Sequence, residues 1–294
     1  MQTNTKILAQ EFDYLAPKII DEALDLLDKY KDKNIKILAG GTDLLVKMKT
    51  IDLKVDYLIN IKNIPELNFV DTNQGLRIGA VTPLSHIIRE EKVKIKYSAL
   101  CEGIMSMAAP AIRNMGTMAG NLGNASPAAD TIPPLIAYGA EIKLQSKRGE
   151  RTVLVEDFII GVGETIMKPD ELITEIIIPE INKNTGSAFL KKSRVKADLS
   201  KINLAIYLER KGNICKDCKI VFGSVAVKVL RAEKTENLLK GQIVNSELIN
   251  KAAEKASCEI KPIDDIRSTA EYRIAMSKEM LKDGFELAWA RAKD

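Results

Sequence analysis

Two glycine-rich segments contain the residues best suited to bind a ligand. Residues 39–43 read Ala-Gly-Gly-Thr-Asp and lie between a predicted strand at 35–38 and a predicted helix at 44–49. Glycine lets the backbone approach a ligand closely and adopt positive φ, so that several N–H groups can point at phosphate oxygens. The turn therefore has the form of a pyrophosphate-binding loop, although a Gly-Gly pair before a helix is also a common tight turn.

The second segment, residues 113–130, is rich in glycine, alanine and side chains that carry a hydroxyl or an amide. Such residues can line a narrow slot and offer donors and acceptors without bulk, but they are equally typical of a turn-rich loop. We predict that residues 109–130 are irregular. Neither segment has the Gly-x-Gly-x-x-Gly spacing of a Rossmann site or the Gly-Lys-Ser/Thr ending of a P-loop, so a dinucleotide would bind in another fold.

The elements around these segments follow from hydrophobic spacing. Ile20, Ala23, Leu24 and Leu27 share one face of a helix predicted over residues 17–30, with Pro17 in its first turn. Further elements are predicted as strands at 57–61, 76–79, 141–144, 152–155, 172–178, 188–191, 203–209 and 219–227, and as helices at 84–91, 98–107, 231–239 and 248–256. A final long helix is predicted to begin with a capping box at 268–271.

The two glycine-rich segments, about 75 residues apart, resemble the two FAD-binding signatures of the flavoprotein subunits of the xanthine dehydrogenase and carbon monoxide dehydrogenase family. The resemblance extends in order along nearly the whole chain. It includes residues 12–17, 78–83, 124–130, 170–173, 187–189 and 266–273.

The resemblance implies an α+β fold with two domains. The first is a two-part FAD-binding domain of the vanillyl-alcohol oxidase type, expected at residues 1–180 with sub-parts at about 1–62 and 63–180. A smaller C-terminal α+β domain of the carbon monoxide dehydrogenase flavoprotein type is expected at 181–294. The flavin would lie between these parts.

The resemblance also implies which residues contact FAD. Residues 38–45 would surround the pyrophosphate, 117–121 the phosphate and ribitol, and Leu172 and Phe189 the isoalloxazine, with Lys191 or Lys192 as a basic neighbour. The expected contacts are Leu38, Ala39, Gly40, Gly41, Thr42, Asp43, Leu44, Leu45, Thr82, Gly116, Thr117, Ala119, Gly120, Asn121, Ser126, Asp130, Leu172, Phe189 and Lys191.

Position 119 departs from the family pattern, because many relatives have Gly-Gly where this chain has Ala119-Gly120. If position 119 required positive φ, alanine would cost about 1 kcal/mol or more. Either the backbone there is ordinary or the contact with the cofactor is looser.

The function implied by the resemblance is electron transfer through FAD in a molybdenum hydroxylase. The partners would be a large molybdenum subunit and a small subunit with [2Fe–2S] clusters. The acceptor expected first is NAD, with a ferredoxin, a quinone or another carrier as alternatives. No residue of this chain is expected to be catalytic, because the flavin itself performs the redox chemistry. The alternatives are a free-standing flavin reductase or oxidase and a flavin-free assembly protein.

The composition and sequence pattern argue against a nucleic-acid-binding, membrane or metal-binding protein. The 44 Lys+Arg and 40 Asp+Glu residues are interleaved and give a net charge of +4, which does not favour nucleic acid. No run of about 18 apolar residues and no signal peptide are found, so we expect a cytoplasmic protein that does not enter a membrane. Cys215 and Cys218 have metal-knuckle spacing without a second pair, so we predict a solvent-edge hairpin with unpaired thiols and no metal.

Overall fold

The computed structural model describes residues 10–51 and 53–293. The first part of the chain forms a three-stranded parallel sheet in the order β1-β3-β2, flanked by two helices. Helix α1 buries Ala23, Leu24 and Leu27, as its hydrophobic spacing predicts, but it begins after Pro17. These elements are β1 (Asp13–Leu15), α1 (Ile20–Tyr30), β2 (Ile35–Leu38), α2 (Leu44–Thr50) and β3 (Tyr57–Asn60).

The second part contains a five-stranded antiparallel sheet in the order β4-β5-β10-β6-β7 and a two-stranded β8-β9 pair. Its elements are β4 (Val70–Asp71), β5 (Leu76–Gly79), α3 (Leu84–Ile87), α4 (Glu91–Lys96), α5 (Ser98–Ser106), α6 (Pro110–Arg113), α7 (Met118–Asn124), α8 (Ile132–Tyr138), β6 (Glu141–Ser146), β7 (Gly149–Leu154), α9 (Val155–Phe158), β8 (Ile159–Gly161), β9 (Glu164–Thr165) and β10 (Leu172–Ile178).

Two predictions about helices in this part are wrong. Residues 109–130 are not irregular, because they contain α6 and α7. Glycine and asparagine disfavour a helix, but Thr117 caps α7 by accepting a hydrogen bond from the Gly120 N–H at 3.0 Å. The single helix predicted at residues 84–91 is divided into α3 and α4, because Glu90 has an extended backbone.

The third part is a four-stranded antiparallel sheet in the order β11-β12-β13-β14, with three helices. Its elements are β11 (Thr185–Lys192), β12 (Ile202–Lys211), β13 (Ile214–Gly223), β14 (Leu230–Arg231), α10 (Glu233–Leu239), α11 (Ser246–Ser257) and α12 (Ala270–Arg291). Helix α12 starts one residue later than the predicted capping box, because Thr269 rather than Ser268 is its N-cap.

Both faces of this C-terminal sheet are buried, which joins it firmly to the rest of the chain. Phe189, Ala205 and Val221 lie side by side across three strands and belong to the large hydrophobic cluster of the first two sheets. Leu204 and Phe222 point to the other face, because side chains alternate along a strand, and pack in the cluster that includes α11 and α12. Helix α8 of the preceding part covers the first of these faces, and α5 packs along the edge strand β11.

The prediction for Cys215 and Cys218 is also wrong in one respect. They lie on the expected hairpin, but both are buried, at 0% and 3% exposure. A β-bulge causes this: Glu209 pairs with Asp217 while Arg210 pairs with Cys215, so Lys216 is an extra residue. The Cys215 thiol donates to the Asp217 carbonyl at 3.7 Å and the Cys218 thiol to the Glu236 carbonyl at 3.9 Å. The neighbouring Cys215 thiol and burial raise the pKa of Cys218.

Residues 10–51 and 53–293 contain neither a metal-binding cluster nor a membrane-spanning helix. No three His, Cys, Asp or Glu side chains in this part of the chain are grouped so that they could hold a metal ion. None of its helices is both long enough and apolar enough to cross a membrane.

Candidate cofactor site

The two glycine-rich segments meet at Gly40. A Cβ at this position would lie 2.5 Å from the carbonyl oxygen of Met115 and 2.8 Å from Cα of Gly116. Only glycine permits backbones to approach this closely, because any side chain would overlap main-chain atoms that cannot rotate away. Segments that are about 75 residues apart in sequence therefore form one site.

The loop at residues 39–43 has the features of an anion-binding backbone. Gly41 adopts φ +79°, in the left-handed region that favours glycine. Within the described part of the chain, the backbone N–H groups of residues 40–43 have no acceptor. Ordered N–H groups without partners suit phosphate oxygens, so this loop fits the pyrophosphate of a dinucleotide.

A polar chain also ties the loop to the second segment. The Asn124 amide donates to Asp43 Oδ1 at 3.3 Å and accepts from Lys47 Nζ at 2.5 Å. Because Asn124 ends α7 while Asp43 is the N-cap of α2 and Lys47 lies within α2, these contacts fix α2 against α7. The side chain of Lys47 also brings a positive charge to the junction.

The second segment is held from its other side by the chain before α3. Pro83 and Thr117 form an isolated β-bridge, and the Leu84 N–H donates to the Gly116 carbonyl at 2.9 Å. Ala119 lies inside α7, where its φ is not positive. The departure from Gly-Gly at position 119 therefore causes no backbone strain.

A buried ion pair lies where the second segment meets the C-terminal sheet. Lys191 Nζ is 2.6 Å from Asp130 Oδ2, and the two side chains are 7% and 5% exposed. The other carboxylate oxygen of Asp130 accepts from Ser200 Oγ at 2.6 Å and from Asn203 Nδ2 at 2.9 Å. Lys192 is exposed, so the structure selects Lys191 as the basic residue that faces inward.

The remaining predicted contact residues are either apolar or have hydroxyl groups that already form hydrogen bonds within the protein. Leu172 and Phe189 are buried in one hydrophobic cluster, which suits a flat aromatic ring. The Thr82 hydroxyl is used internally, because it donates to the Phe69 carbonyl at 2.9 Å and accepts from the Phe69 N–H at 3.0 Å. Ser126 Oγ accepts from the Ala128 N–H at 3.3 Å and shapes its own turn.

Three polar residues of this region were missed from the sequence. Ser200 and Asn203 orient Asp130, and Glu102 accepts the backbone N–H of Phe189 at 2.8 Å. Each is an isolated polar residue with no motif around it. No local signal distinguishes such a residue from a surface one.

The glycine loop with unpaired N–H groups, the buried lysine–carboxylate pair and the buried apolar residues are features that suit a dinucleotide-binding protein outside the Rossmann fold. Comparison with known families agrees. The family of the FAD binding domain in molybdopterin dehydrogenase matches residues 10–181, and that of the CO dehydrogenase flavoprotein C-terminal domain matches 187–288. The chain belongs to the FAD-binding medium subunits of the xanthine dehydrogenase and carbon monoxide dehydrogenase family of molybdenum hydroxylases.

Individual relatives match over nearly their full length. The carbon monoxide dehydrogenase medium chain of Hydrogenophaga pseudoflava is 32% identical over 97% of this chain and 99% of its own. The glyceraldehyde dehydrogenase medium chain of Sulfolobus acidocaldarius is 32% identical over 94% and 98%. A solved structure of the Hydrogenophaga pseudoflava carbon monoxide dehydrogenase superposes with a TM-score of 0.93, covering 98% of this chain and 100% of the other.

These findings confirm the α+β fold, the FAD cofactor and the role as a subunit of an oxidoreductase. They remove the flavin-free assembly protein from the alternatives, because the matching family binds FAD.

Proposed function

We propose that this subunit receives electrons from the [2Fe–2S] clusters of a small partner and passes them to a soluble acceptor such as NAD. A large molybdenum subunit would oxidise the substrate. The observation that carries this proposal is that the buried charged groups at the site, Asp130 and Lys191, are engaged with each other. A site whose buried acid, among the described residues, is already paired with a lysine suits electron transfer better than substrate chemistry.

The residues of the site have distinct roles in this proposal. The free N–H groups of residues 40–43 bind the pyrophosphate, and residues 116–121 bind the neighbouring phosphate and ribitol. FAD, when bound, supplies reversible uptake of electrons. Leu172 and Phe189 exclude water from the ring, because both are buried in the apolar cluster.

Lys191 can still donate a hydrogen bond to the cofactor. An ammonium group has three N–H donors, and two of them are used by Asp130 at 2.6 Å and the Ser106 carbonyl at 3.0 Å. The third donor is available to a ligand. An ammonium next to a flavin favours the reduced, more negative form, and because Asp130 offsets part of this charge, Lys191 would raise the reduction potential only modestly.

The domain division at residues 1–180 and 181–294 also belongs to this proposal. The chain passes from one sheet to the next between Ile178, the end of β10, and Thr185, the start of β11. A division of the first domain near residue 62 is supported by the gap between β3 and β4. We place the complex in the cytoplasm, since all four cysteines are free thiols.

The test uses the tagged full-length chain, purified alone and together with the subunits that it retains from its own cells. Carbon monoxide, glyceraldehyde, xanthine and nicotinate, suggested by names of relatives, are offered as substrates under anaerobic conditions. We expect one of them to bleach the visible flavin band of the complex but not that of the lone chain. Adding NAD should then restore the band.

Two other outcomes would contradict the proposal. Bleaching of the lone chain by a substrate would favour the free-standing reductase or oxidase. A complex without molybdenum or iron that still turned over would remove the proposed electron donor. Reoxidation of the flavin by a ferredoxin but not by NAD would change only the acceptor named in the proposal.

A further inference from the structure

Strand β11 is an edge strand whose outer side is covered by helix α5. It pairs with β12 on one side only, and α5 packs along it. Three alternate residues of the strand, Ser187, Phe189 and Lys191, each contact α5. An uncovered edge would expose backbone groups to other chains, so α5 has a structural use here.

The contacts repeat at regular intervals on both elements. Ser98 Oγ lies 2.9 Å from Ser187 Oγ and donates to the Ser187 carbonyl at 3.1 Å. Glu102 Oε2 accepts the Phe189 N–H at 2.8 Å. Lys191 Nζ donates to the carbonyl of Ser106 at 3.0 Å.

The repeat follows from the geometry of the two elements. Four residues of an α-helix advance about 6 Å. Two residues of a β-strand advance about 6.6 Å. Because these distances nearly agree, Ser98, Glu102 and Ser106 lie opposite every second residue of β11, and the strand cannot slide along the helix without breaking all three contacts.

The central contact is reinforced from α12. Arg291 donates to Glu102 Oε1 at 2.5 Å and to the Ser187 carbonyl at 2.7 Å. Glu102 therefore uses one carboxylate oxygen for the strand and the other for the last residue of α12. Its side chain is 30% exposed, so its geometry matters more than the strength of its ion pair.

The contact between Ser98 and Ser187 also involves the buried hydroxyl of Tyr138. Tyr138 OH lies 2.6 Å from Ser187 Oγ and accepts the Ala99 N–H at 3.2 Å. Burial raises the pKa of Tyr138, so its hydroxyl stays protonated at neutral pH. This end of β11 is thus fixed independently of Glu102.

We infer that Glu102 is a positioning residue that sets the location of Phe189 and Lys191 relative to the flavin. The inference rests on the proposed placement of these two residues at the cofactor. Phe189 and Lys191 follow Ser187 at alternate positions, so the Glu102 contact at the Phe189 N–H fixes the segment that carries both. Without it, only the Ser187 end and the Lys191 side chain would still be tied to α5.

The experiment compares Glu102→Ala, Glu102→Gln and Glu102→Asp in the full-length chain. Alanine leaves the buried Phe189 N–H without an acceptor, and we expect an increase of about tenfold in the Kd for FAD. The reduction potential of bound FAD should also shift, because the strand segment that carries Phe189 and Lys191 loses its central contact with α5. Glutamine retains a carbonyl oxygen, so Glu102→Gln should recover most of the wild-type Kd and reduction potential. Aspartate is too short to reach the Phe189 N–H, so Glu102→Asp should recover neither.

Glu236→Ala is the matched control. Glu236 accepts the Ile220 N–H of β13 at 2.9 Å and pairs with Arg231 at 2.8 Å, so it makes the same two kinds of contact away from the cofactor. We expect this variant to lower the Tm and leave the Kd and the potential of FAD unchanged. If Glu102 contributed only to stability, Glu102→Ala would likewise lower the Tm and leave the Kd and the potential of FAD unchanged.

The inference is overturned if Glu102→Ala and Glu102→Asp lower the Tm but leave the Kd, the potential and the visible spectrum of FAD as in the wild type. If Glu102→Ala does not fold, the comparison of the Gln and Asp variants decides. Phe189→Ala and Lys191→Ala test the placement at the flavin separately. A spectrum that these two variants change and the Glu102 variants do not change would contradict the inference and leave the proposed function intact.

Discussion

Replacing Gly40 with alanine tests whether the contact between the two glycine-rich segments makes the FAD site. The new methyl group would lie 2.5 Å from the Met115 carbonyl oxygen and 2.8 Å from Gly116 Cα. The optimal separation of non-bonded atoms is about 3.5 Å, so the segments must separate by roughly 1 Å. Overpacking of this kind costs about 1–3 kcal/mol.

Separating the two segments would displace the N–H groups that are proposed to bind the pyrophosphate, so we expect the cost to weaken FAD binding. An energy of about 1–3 kcal/mol corresponds to an increase of roughly 5- to 150-fold in the Kd for FAD. The Kd is measured by fluorescence titration of the FAD-depleted chain, with circular dichroism to show that the fold is retained.

Gly123→Ala is the control for this variant. It adds the same methyl group to α7, where no atom lies within 4 Å of the new Cβ and φ is ordinary. We expect its Kd to stay within about twofold of the wild type, since this change removes no contact and relieves about 0.5–1 kcal/mol of helix penalty. A wild-type Kd for Gly40→Ala would refute the reasoning that the close approach shapes the site.

The other predictions concern stability and accessibility. Thr117→Ala removes the N-cap of α7 and should lower the unfolding free energy in urea by about 1 kcal/mol, whereas Thr117→Ser should not. A thiol reagent should titrate Cys258 alone in the native chain and all four cysteines after unfolding; burial raises the pKa of Cys101 to about 11. Burial alone would raise the pKa of Asp265, but hydrogen bonds from Arg273 and Arg267 hold it below 3.8. Ionised Asp265 therefore stabilises the fold above about pH 4. This stabilisation is lost as the pH falls through the folded-state pKa, so Asp265→Asn should reduce stability at pH 7 by about 1.5–3 kcal/mol and flatten its acid dependence. An unchanged acid dependence would contradict the last prediction.

The errors in the predicted helices arise because helix signals in a sequence are local and do not report tertiary contacts. Hydrophobic spacing located α1, α11 and most strands, because burial of one face leaves a regular pattern in the sequence. It failed at α7, where glycines and asparagines predict a loop. A cap from Thr117 and the contacts of α7 with the Gly40 segment outweigh that weak propensity.

The sequence by itself determined the cofactor, because the two glycine-rich segments carry the resemblance to an FAD-binding family. A backbone that must admit phosphate oxygens requires glycine at particular positions, and this requirement is local, so it is readable in residues 39–43 and 113–130. The order of the further signatures determined the fold class in the same way.

Only the tertiary structure decided which polar side chains are buried and what they contact. It pairs Lys191 with Asp130 and leaves Lys192 exposed, turns Cys215 and Cys218 into the core and brings Glu102 to the Phe189 N–H. Each outcome depends on which face of a strand is buried and on partners 60 or more residues away, or on one extra residue in a bulge. Side-chain type alone does not encode such partners, because a lone lysine, thiol or carboxylate has the same local pattern on a surface as in a site.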